Sequence, residues 1–495
     1  MNFEFTFGKA QPTTPPTPET PFRILIIGDL DGRTSRNLAQ PLADRQPVPV
    51  DVDNYESFLK RLRAEVQLGL PGPAPAPIRI AVSGLDDFHP DRLFERMDLF
   101  DALRRTRQRL LDPATFASAA AEVRAWSGGV PIPIPGAGSG IKQQPTGSPA
   151  RESDTETIER LLGRAPSPAT AASGAAAELI RKIVAPHVVS TPDGDQSTLI
   201  AAVDAAVAAL LRSVLHDPAF QALESTWRGI DFLIRNLETD ESLKVCLLNV
   251  SRAELSADLM DSDDLRHSGL FRIQVESTVH SPGAEPWALV LGLYHFGLGH
   301  EDAELLGRMA KLARAAGAPF VAAAGGDLMQ TALNEPEQLV ANREWTALRT
   351  CPEAASLGLI CPRFLLRLPY GQATDPVSAF AFEEFTGRPE AEGYLWGNPA
   401  VALGALLGQM CGESRWEMNP GAGLELGSLP VHLWKEGAES KMTPCGEIWL
   451  NDVQAERLLE HGLMPFQSIQ RKDAIRLARV QSVRAPLTGL AGRWA

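Results

Sequence analysis

The sequence is poor in cysteine. Five cysteines occur in 495 residues, namely Cys246, Cys351, Cys361, Cys411 and Cys445. They are odd in number and widely spaced, and no two have the CxxC spacing of a zinc ribbon or a redox dithiol. We therefore expect reduced thiols, as is usual in the cytoplasm.

Targeting and membrane segments are also lacking. The N-terminal residues MNFEFTF alternate apolar and polar side chains, without the basic and continuously apolar parts of a signal peptide. No run approaches the roughly 18 apolar residues that cross a bilayer. The sequence predicts a cytoplasmic protein without membrane insertion.

The chain has fewer basic than acidic residues. Lys and Arg number 47 against 61 Asp and Glu, which gives a net charge of −14. Non-specific nucleic-acid binding depends on cationic neutralisation of phosphates, so this chain is a poor candidate for it. A hydrophobic content of 44% is ordinary for a soluble globular protein. The length predicts two to four domains at about 100–200 residues each.

What the sequence does have is a segment rich in glycine and proline. Residues 127–150 contain six Gly, five Pro and three Ser in 24 positions. Such a segment buries too little apolar surface to offset its ordering entropy. Residues 165–178, rich in Ala, Ser and Pro, are similar. We expect a flexible, protease-sensitive linker over residues 127–178.

A short apolar island lies inside this linker at residues 157–164. Ile158, Leu161 and Leu162 share one helical face at spacings i, i+3 and i+4. One interpretation is a helix that docks into a groove of a partner. The other is a linker helix resting on its own domain.

The regions on both sides of the linker alternate strand and helix patterns. A short strand is predicted at residues 3–7, where Phe3, Phe5 and Phe7 share a face. Buried strands are predicted at residues 22–28, 243–250, 287–293, 319–324 and 357–360. Helical stripes are predicted at residues 93–103, 199–214 and 305–312. This alternation indicates an α/β fold.

No motif predicts catalysis or cofactor binding. The glycine-rich run at 136–140 lacks the preceding strand and following helix of a phosphate loop. Its Gly138-Ser139-Gly140 part is no nucleophile elbow, because it lies in the linker. Glu383 and Glu384 are adjacent, so in an extended segment they point to opposite sides and share no site.

A metal-dependent enzyme remains the alternative of another class. His295, His300, Glu301 and Asp302 have metal-ligating side chains. However, the two histidines are five residues apart with two glycines between them, whereas histidine pairs on a helix bind metal at i and i+4. A turn followed by a helix with acidic residues in its first turn explains the pattern better.

Several motifs resemble the large subunit of the type VI secretion contractile sheath, in the same order. They are FQALESTWRG at 220–229, LKVCLLNVS at 243–251, GLICPRFLLRLPYG at 358–371, YLWGN at 394–398 and GLMPF at 462–466. They cover about residues 180–470. The structural residues within or beside them are Trp227, Arg228, Arg363, Arg367, Glu383, Glu384, Trp396 and Asn398. We expect Arg363 and Arg367 to pair with carboxylates such as Glu383 or Glu384.

The N-terminal region is similar to the small subunit of the same sheath. The matching pieces are FRILIIGD at 22–29, LADRQPVPVDVDN at 42–54 and SGLDDFHP at 83–90. The resemblance therefore implies two mixed α/β sheath-type domains, at residues 1–126 and 179–495, joined by the linker at 127–178.

The resemblance also implies a function. It suggests a structural sheath component, a fused small and large subunit without catalytic activity, metal or cofactor. Its partners would be other sheath subunits, the inner tube, the baseplate and the disassembling unfoldase, the last through Ile158, Leu161 and Leu162.

This chain departs from the family pattern at three places. Gly292-Leu293-Tyr294 stands where the large subunit usually has Gly-Asp-Tyr. The small-subunit pattern stops near Trp126, and the sequence ends at Ala495, before the usual C-terminal extension. We therefore expect the chain not to form long sheaths alone. The alternative is an accessory paralogue that caps or regulates sheath assembly.

Overall fold

The structure is a computed structural model that describes residues 16–17, 19–42, 45–69, 78–126, 196–279 and 285–494. We call the part up to Trp126 the first region and the part from Gln196 onward the second region. The predicted strand at 3–7, the linker at 127–178 and the helix at 157–164, with Ile158, Leu161 and Leu162, lie outside the described residues.

Fifteen strands are present in the part of the chain that the structure describes. They are β1 (Phe22–Gly28), β2 (Val48–Val50), β3 (Ala64–Leu68), β4 (Ile78–Val82), β5 (Leu243–Asn249), β6 (Leu289–Phe296), β7 (Phe320–Ala324), β8 (Leu357–Cys361), β9 (Phe364–Leu365), β10 (Trp396–Gly397), β11 (Ala422–Leu426), β12 (His432–Glu436), β13 (Glu439–Thr443), β14 (Leu463–Ser468) and β15 (Ile475–Arg479).

The helices surround these strands. They are α1 (Tyr55–Leu62), α2 (Pro90–Arg96), α3 (Asp101–Leu111), α4 (Phe116–Trp126), α5 (Gln196–Leu215), α6 (Pro218–Arg235), α7 (Arg252–Met260), α8 (Gly269–Phe271), α9 (His300–Ala316), α10 (Gly326–Asn334), α11 (Pro336–Ala341), α12 (Arg343–Thr350), α13 (Pro399–Ser414) and α14 (Asp452–Glu460). Short 3₁₀ turns and one π-helical stretch, Arg272–Glu276, complete the described part.

Nine of the strands form one mixed sheet in the order β11-β15-β14-β8-β7-β6-β1-β5-β2. Three two-stranded sheets, β3 with β4, β9 with β10 and β12 with β13, lie beside it. The α/β class predicted from the sequence is confirmed.

The first region contributes β1 to the middle of the large sheet. β1 pairs in parallel with β5, from Phe22 opposite Leu243 to Gly28 opposite Asn249, and on its other side with β6. A central parallel strand is buried on both faces, which explains its continuous apolar sequence FRILIIG. The two regions, which the sequence predicts as separate domains, therefore share one sheet.

The side chains of β1 enter two hydrophobic cores. Phe22, Ile24 and Ile26 point to the core that contains α6 and α13. Leu25 and Ile27 point to the opposite core, which contains α7 and α9. Each core thus includes residues from both regions.

Within the described residues, the predicted elements agree with the structure except in two places. The strand predicted at 287–293 begins at Leu289 and runs to Phe296. The single helix predicted at 93–103 is wrong, because the backbone of Met97 is extended (φ −79°, ψ 126°) and separates α2 from the next turn. The four apolar residues of the stripe are nevertheless all buried, namely Leu93, Met97, Phe100 and Leu103. The stripe therefore indicates which residues are buried and does not indicate a single helix.

One described helix, α5, is long and apolar enough to cross a membrane when judged by length and composition. Of its apolar window, 56% is buried inside the structure, where α5 packs against α3 and α4 of the first region. Such burial is typical of a core helix. The contact of α5 with α3 is a second junction between the two regions.

The position of β1 predicts how the chain behaves after cleavage between the regions. With a specific protease site inserted after Gly140, we expect the two fragments to elute together in gel filtration at physiological salt. Their backbone hydrogen bonds and buried side chains hold them together without the covalent link. An Ile24→Asp/Ile26→Asp variant, cut in the same way, should separate. Separation of the unmodified fragments would contradict the shared sheet.

Candidate functional site

Two tryptophan rings of the second region contact the first residue of β1. The ring of Phe22 lies between Trp416, at 5.4 Å between centroids, and Trp494, at 6.1 Å. Trp416 also donates a hydrogen bond from Nε1 to the backbone oxygen of Thr20 (2.8 Å). Two segments of the second region thus hold the first residues of β1.

Trp227, one of the residues singled out in the sequence, joins the regions on the other side. Its side chain on α6 is fully buried and packs on Phe58 of α1, with 6.2 Å between the ring centroids. Its Nε1 donates to the backbone oxygen of Leu30, just after β1 (2.8 Å). Buried indoles usually find such a partner. Trp227 therefore anchors both β1 and α1 to the second region.

A buried ion cluster, which we call the β1-end cluster, consists of Asp31, Arg33, Arg45 and Glu254. Arg33 from the first region lies 2.8 Å from both Asp31 and Glu254, and Arg45 lies 2.6 Å from Glu254. Glu254 belongs to the second region and its side chain is 1% exposed. One carboxylate at the start of α7 thus binds two guanidinium groups of the first region.

The sequence around Glu254 explains why a carboxylate is stable there. It is the third residue of α7 and forms a capping box with Ser251, whose backbone N–H donates to it (2.9 Å). The backbone N–H of Gln40 donates as well (2.7 Å). Burial by itself would raise the pKa of Glu254, but the hydrogen bonds from Arg45, Ser251, Gln40 and Arg33 lower it to about 2.

A second buried cluster, which we call the α6 cluster, consists of Glu224, Arg228, Arg367, Tyr370 and Glu384. Arg367 lies between the two carboxylates, 2.9 Å from Glu224 and 2.8 Å from Glu384. Arg228 pairs with Glu224 at 2.7 Å and donates to the hydroxyl of Tyr370 at 2.9 Å. Two carboxylates and two guanidinium groups make the cluster electrically balanced.

The α6 cluster holds the carboxylate of Glu384 in the ionised form. Glu224 is fully buried and the side chain of Glu384 is 1% exposed. Burial would raise the pKa of Glu384, but the charge of Arg367, the nearby His216, whose Nε2 lies 3.5 Å away, and hydrogen bonds from Arg367 and the backbone of Tyr370 lower it to about 2. A carboxylate this acidic is a poor general base at neutral pH. The arrangement suits a structural ion network.

The α6 cluster also reaches the first region. The ring of His89 meets the ring of Tyr370 edge-on, with 5.0 Å between centroids. The carboxylate of Asp91 accepts from the backbone N–H of Ser378 (3.0 Å), and His89 Nε2 lies 3.5 Å from Asp375. The start of α2 is thereby fixed against the 370–378 segment.

The predicted arginine pairs are partly wrong. Arg367 does bind Glu384, but Arg363 pairs with Glu447, 84 residues later, at 2.5 Å. Glu383 is exposed and accepts from the backbone N–H of Gln372 (3.1 Å). Glu224 is not among the residues that the sequence motifs single out, although its i, i+4 spacing to Arg228 within a helix is a usable signal.

The remaining singled-out residues fix the backbone. Asn398 caps α13 by accepting from the backbone N–H of Ala400 (3.0 Å), and it donates to the backbone oxygen of Tyr294 on β6 (3.1 Å). Trp396 donates from Nε1 to the backbone oxygen of Ala391 (2.7 Å). These contacts order the segment that leads into α13.

The histidines of the metal alternative lie apart from a ligand set. His295 is on β6, while His300 opens α9 and lies 4.0 Å from Glu304. Asp302 accepts from the backbone N–H of Gly297 (2.6 Å) and contacts Arg252. Among the residues that the structure describes, no group of three or more His, Cys, Asp or Glu side chains is placed to hold a metal ion.

Comparisons with known families agree with this arrangement. The VipB model, described as EvpB/VC_A0108, tail sheath N-terminal domain, matches residues 197–484. A model described as Type VI secretion system, VipA, VC_A0107 or Hcp2, matches residues 5–125. The two matches confirm the resemblance to a large and a small sheath subunit in one chain.

Two curated proteins of Pseudomonas aeruginosa are similar to the same two parts. Type VI secretion system sheath protein TssC1 is 34% identical over 309 residues, which cover 58% of this chain and 61% of TssC1. Type VI secretion system sheath protein TssB1 is 28% identical over 102 residues, which cover 20% of this chain and 59% of TssB1. The chain thus spans about three fifths of each relative.

The α6 cluster predicts a large difference between two arginines of one segment. Arg367→Ala leaves Glu224 and Glu384 buried with one positive partner fewer, so we expect a loss of about 3–5 kcal/mol in the free energy of unfolding. Arg363→Ala is the matched control: its side chain is 38% exposed and pairs with one carboxylate, so a loss below about 1 kcal/mol is expected. Urea unfolding measures both. Equal losses would contradict the assignment.

The β1-end cluster predicts a pH dependence. The pKa of Glu254 is about 2 in the folded state, against an ordinary 4.5. Its stabilisation is therefore complete above about pH 4.5 and is lost as the pH falls toward 2. Glu254→Gln should be less stable than the wild type at pH 7, and the difference should shrink as the pH falls through this window. The exposed Glu456→Gln is the control. A difference independent of pH would exclude an ionised Glu254.

Proposed function

Because the chain belongs to the VipB tail sheath family, whose model matches more than half of it, we propose that it is a structural component of a type VI secretion contractile sheath. In this proposal a small-subunit-like part and a large-subunit-like part are fused in one protomer. The observation that carries the proposal is β1 of the first region, which lies between β5 and β6 of the second.

We propose the boundaries that the sequence predicts, with the small-subunit-like part at 1–126, a linker at 127–178 and the large-subunit-like part at 179–495. Covalent linkage makes the association of the two parts intramolecular, at a high effective concentration. It also fixes their ratio at one to one. Both effects favour a protomer whose two parts are associated before it assembles with others.

The proposed role is mechanical and not enzymatic. The buried charged groups of the β1-end cluster, between the regions, and of the α6 cluster, within the second region, are engaged in ion pairs. The proposed partners are other sheath subunits, in keeping with the names of the relatives. The inner tube, the baseplate and the disassembling unfoldase, the last through Ile158, Leu161 and Leu162, complete the proposed set, and the proposed location is the cytoplasm.

Electron microscopy with the matching separate sheath subunits tests this proposal. We expect the chain to enter sheath-like assemblies and to sediment with them, because both halves of its protomer are prefolded. The Ile24→Asp/Ile26→Asp variant, which breaks the shared sheet, should stay in the supernatant. Assemblies that shorten as the chain is added would favour the capping alternative. A chain that remains monomeric beside fully formed sheaths would contradict both.

A further inference from the structure

A cavity of about 400 Å³ lies between the two regions, beside the β1-end cluster. The first region contributes residues 39–42 to its wall, and the second region contributes residues of α7 and of the segment 261–272. Glu254, which binds Arg33 and Arg45 of the first region, also lines it. The docking of the two regions therefore creates this cavity, and neither region forms it alone.

The innermost lining of the cavity is apolar. Leu42, Leu259 and Leu265 line it and are at most 3% exposed. Leu42 is fixed by close packing on Gly269, because a Cβ added at Gly269 would lie 2.8 Å from the Cβ of Leu42. The volume lies within the range of about 300–1,000 Å³ that is typical of ligand sites. The cavity can thus bury an apolar group.

Hydrogen bonds fix the wall that the second region provides. The carboxylate of Asp258 accepts from the backbone N–H of Gly269 (2.8 Å). The buried Arg308 donates to the backbone oxygens of Leu259 (2.6 Å) and Ser262 (2.9 Å), where α7 ends. The wall is therefore ordered before any ligand binds, which lowers the entropy cost of binding.

The rim of the cavity is acidic. Asp258, Asp261 and Asp264 lie in the wall together with one arginine, Arg272. Asp264 is neutralised by Arg266, which lies 2.6 Å away. The two remaining carboxylates still outnumber Arg272, and Asp261 is exposed. The neighbouring β1-end cluster has two groups of each sign and adds no net charge. The rim therefore favours a cationic group.

We propose that this cavity is a docking site for a segment of a partner protein in which an apolar side chain the size of phenylalanine stands next to lysine or arginine. The apolar side chain would fill the cavity, and the basic neighbours would lie against the acidic rim. The net charge of −14 attracts such a basic segment over a longer range. This proposal does not depend on the sheath function, because the cavity is present in the isolated chain.

Isothermal titration calorimetry on the full chain tests the proposal with a defined peptide. The probe is Gly-Lys-Lys-Phe-Lys-Lys-Gly, acetylated and amidated at its ends. We expect a dissociation constant below about 1 mM at low salt. It should rise at least about threefold when the ionic strength increases from about 0.05 M to about 0.3 M, because salt screens the rim.

Two peptides are the matched controls for the probe. One has glycine in place of phenylalanine and lacks the apolar group, and the other has glutamate in place of each lysine. Both should bind at least about tenfold more weakly than the probe. A probe that does not bind, or that binds no better than the peptide without phenylalanine, would overturn the proposal.

Two variants of α7 locate the binding site. Ala257→Trp fills the cavity from an exposed position in its wall, so we expect it to abolish binding. Ala253→Trp is the matched control, because Ala253 is exposed on the same helix, one turn earlier, and does not line the cavity. It should leave the dissociation constant within about twofold of the wild type. Equal binding by the two variants would place the peptide elsewhere and overturn the proposal.

A charge variant provides a test that does not require a bulky substitution. Asp261→Asn should weaken binding of the probe at least about threefold, whereas Glu456→Gln, which removes the same charge from α14, should not. Analytical ultracentrifugation of the chain alone examines the other occupant, a second copy. A dimer that Ala257→Trp dissociates would show that a second copy fills the cavity, and it would overturn the proposed partner.

Discussion

The pairing of β1 between β5 and β6 is the constraint on which the rest of the structure depends. Without β1, the facing N–H and C=O groups of two central strands would lose their partners in a region that water does not reach. Unpaired buried backbone groups are costly, so the second region needs the first to complete its sheet. The same strand fills both cores with apolar side chains. Sheet and cores therefore make one folding unit of two regions that are distant in sequence.

The buried ion pairs contribute less to the stability of this folding unit than to the specificity of its arrangement. Desolvation offsets much of the attraction in a buried ion pair, whereas a pair left incomplete is strongly destabilising. Glu254 of the second region binds two guanidinium groups of the first region. A shifted docking of the first region would leave this carboxylate buried without its partners. We infer that the β1-end cluster excludes incorrect arrangements, while hydrophobic burial supplies most of the driving force.

The sequence predicts local features better than their arrangement. The run FRILIIG identifies β1 and its burial on both faces, yet nothing in it specifies β5 and β6 as neighbours, because strand order depends on contacts more than 200 residues apart. The stripe from Leu93 to Leu103 predicts one helix, but the structure has two helices there, because burial follows the surface of the core and not the helical period alone. The sequence predicts nearby carboxylates as partners of Arg363, but its partner Glu447 comes close only through the tertiary fold.

A protomer that transmits force needs internal contacts stronger than its contacts with neighbours. Here the contacts between the regions consist of parallel strand pairing, buried indoles and largely buried ion pairs between Glu254 and two arginines of the first region. The surfaces that remain for contact with neighbouring protomers differ from these contacts within the protomer. On the β12–β13 hairpin, for example, Leu433 and Met442 lie opposite each other and are 68% and 38% exposed. Contacts of that kind form and break at lower cost than the shared sheet. In the proposed sheath, rearrangement would therefore occur between protomers, while each protomer moves as one body.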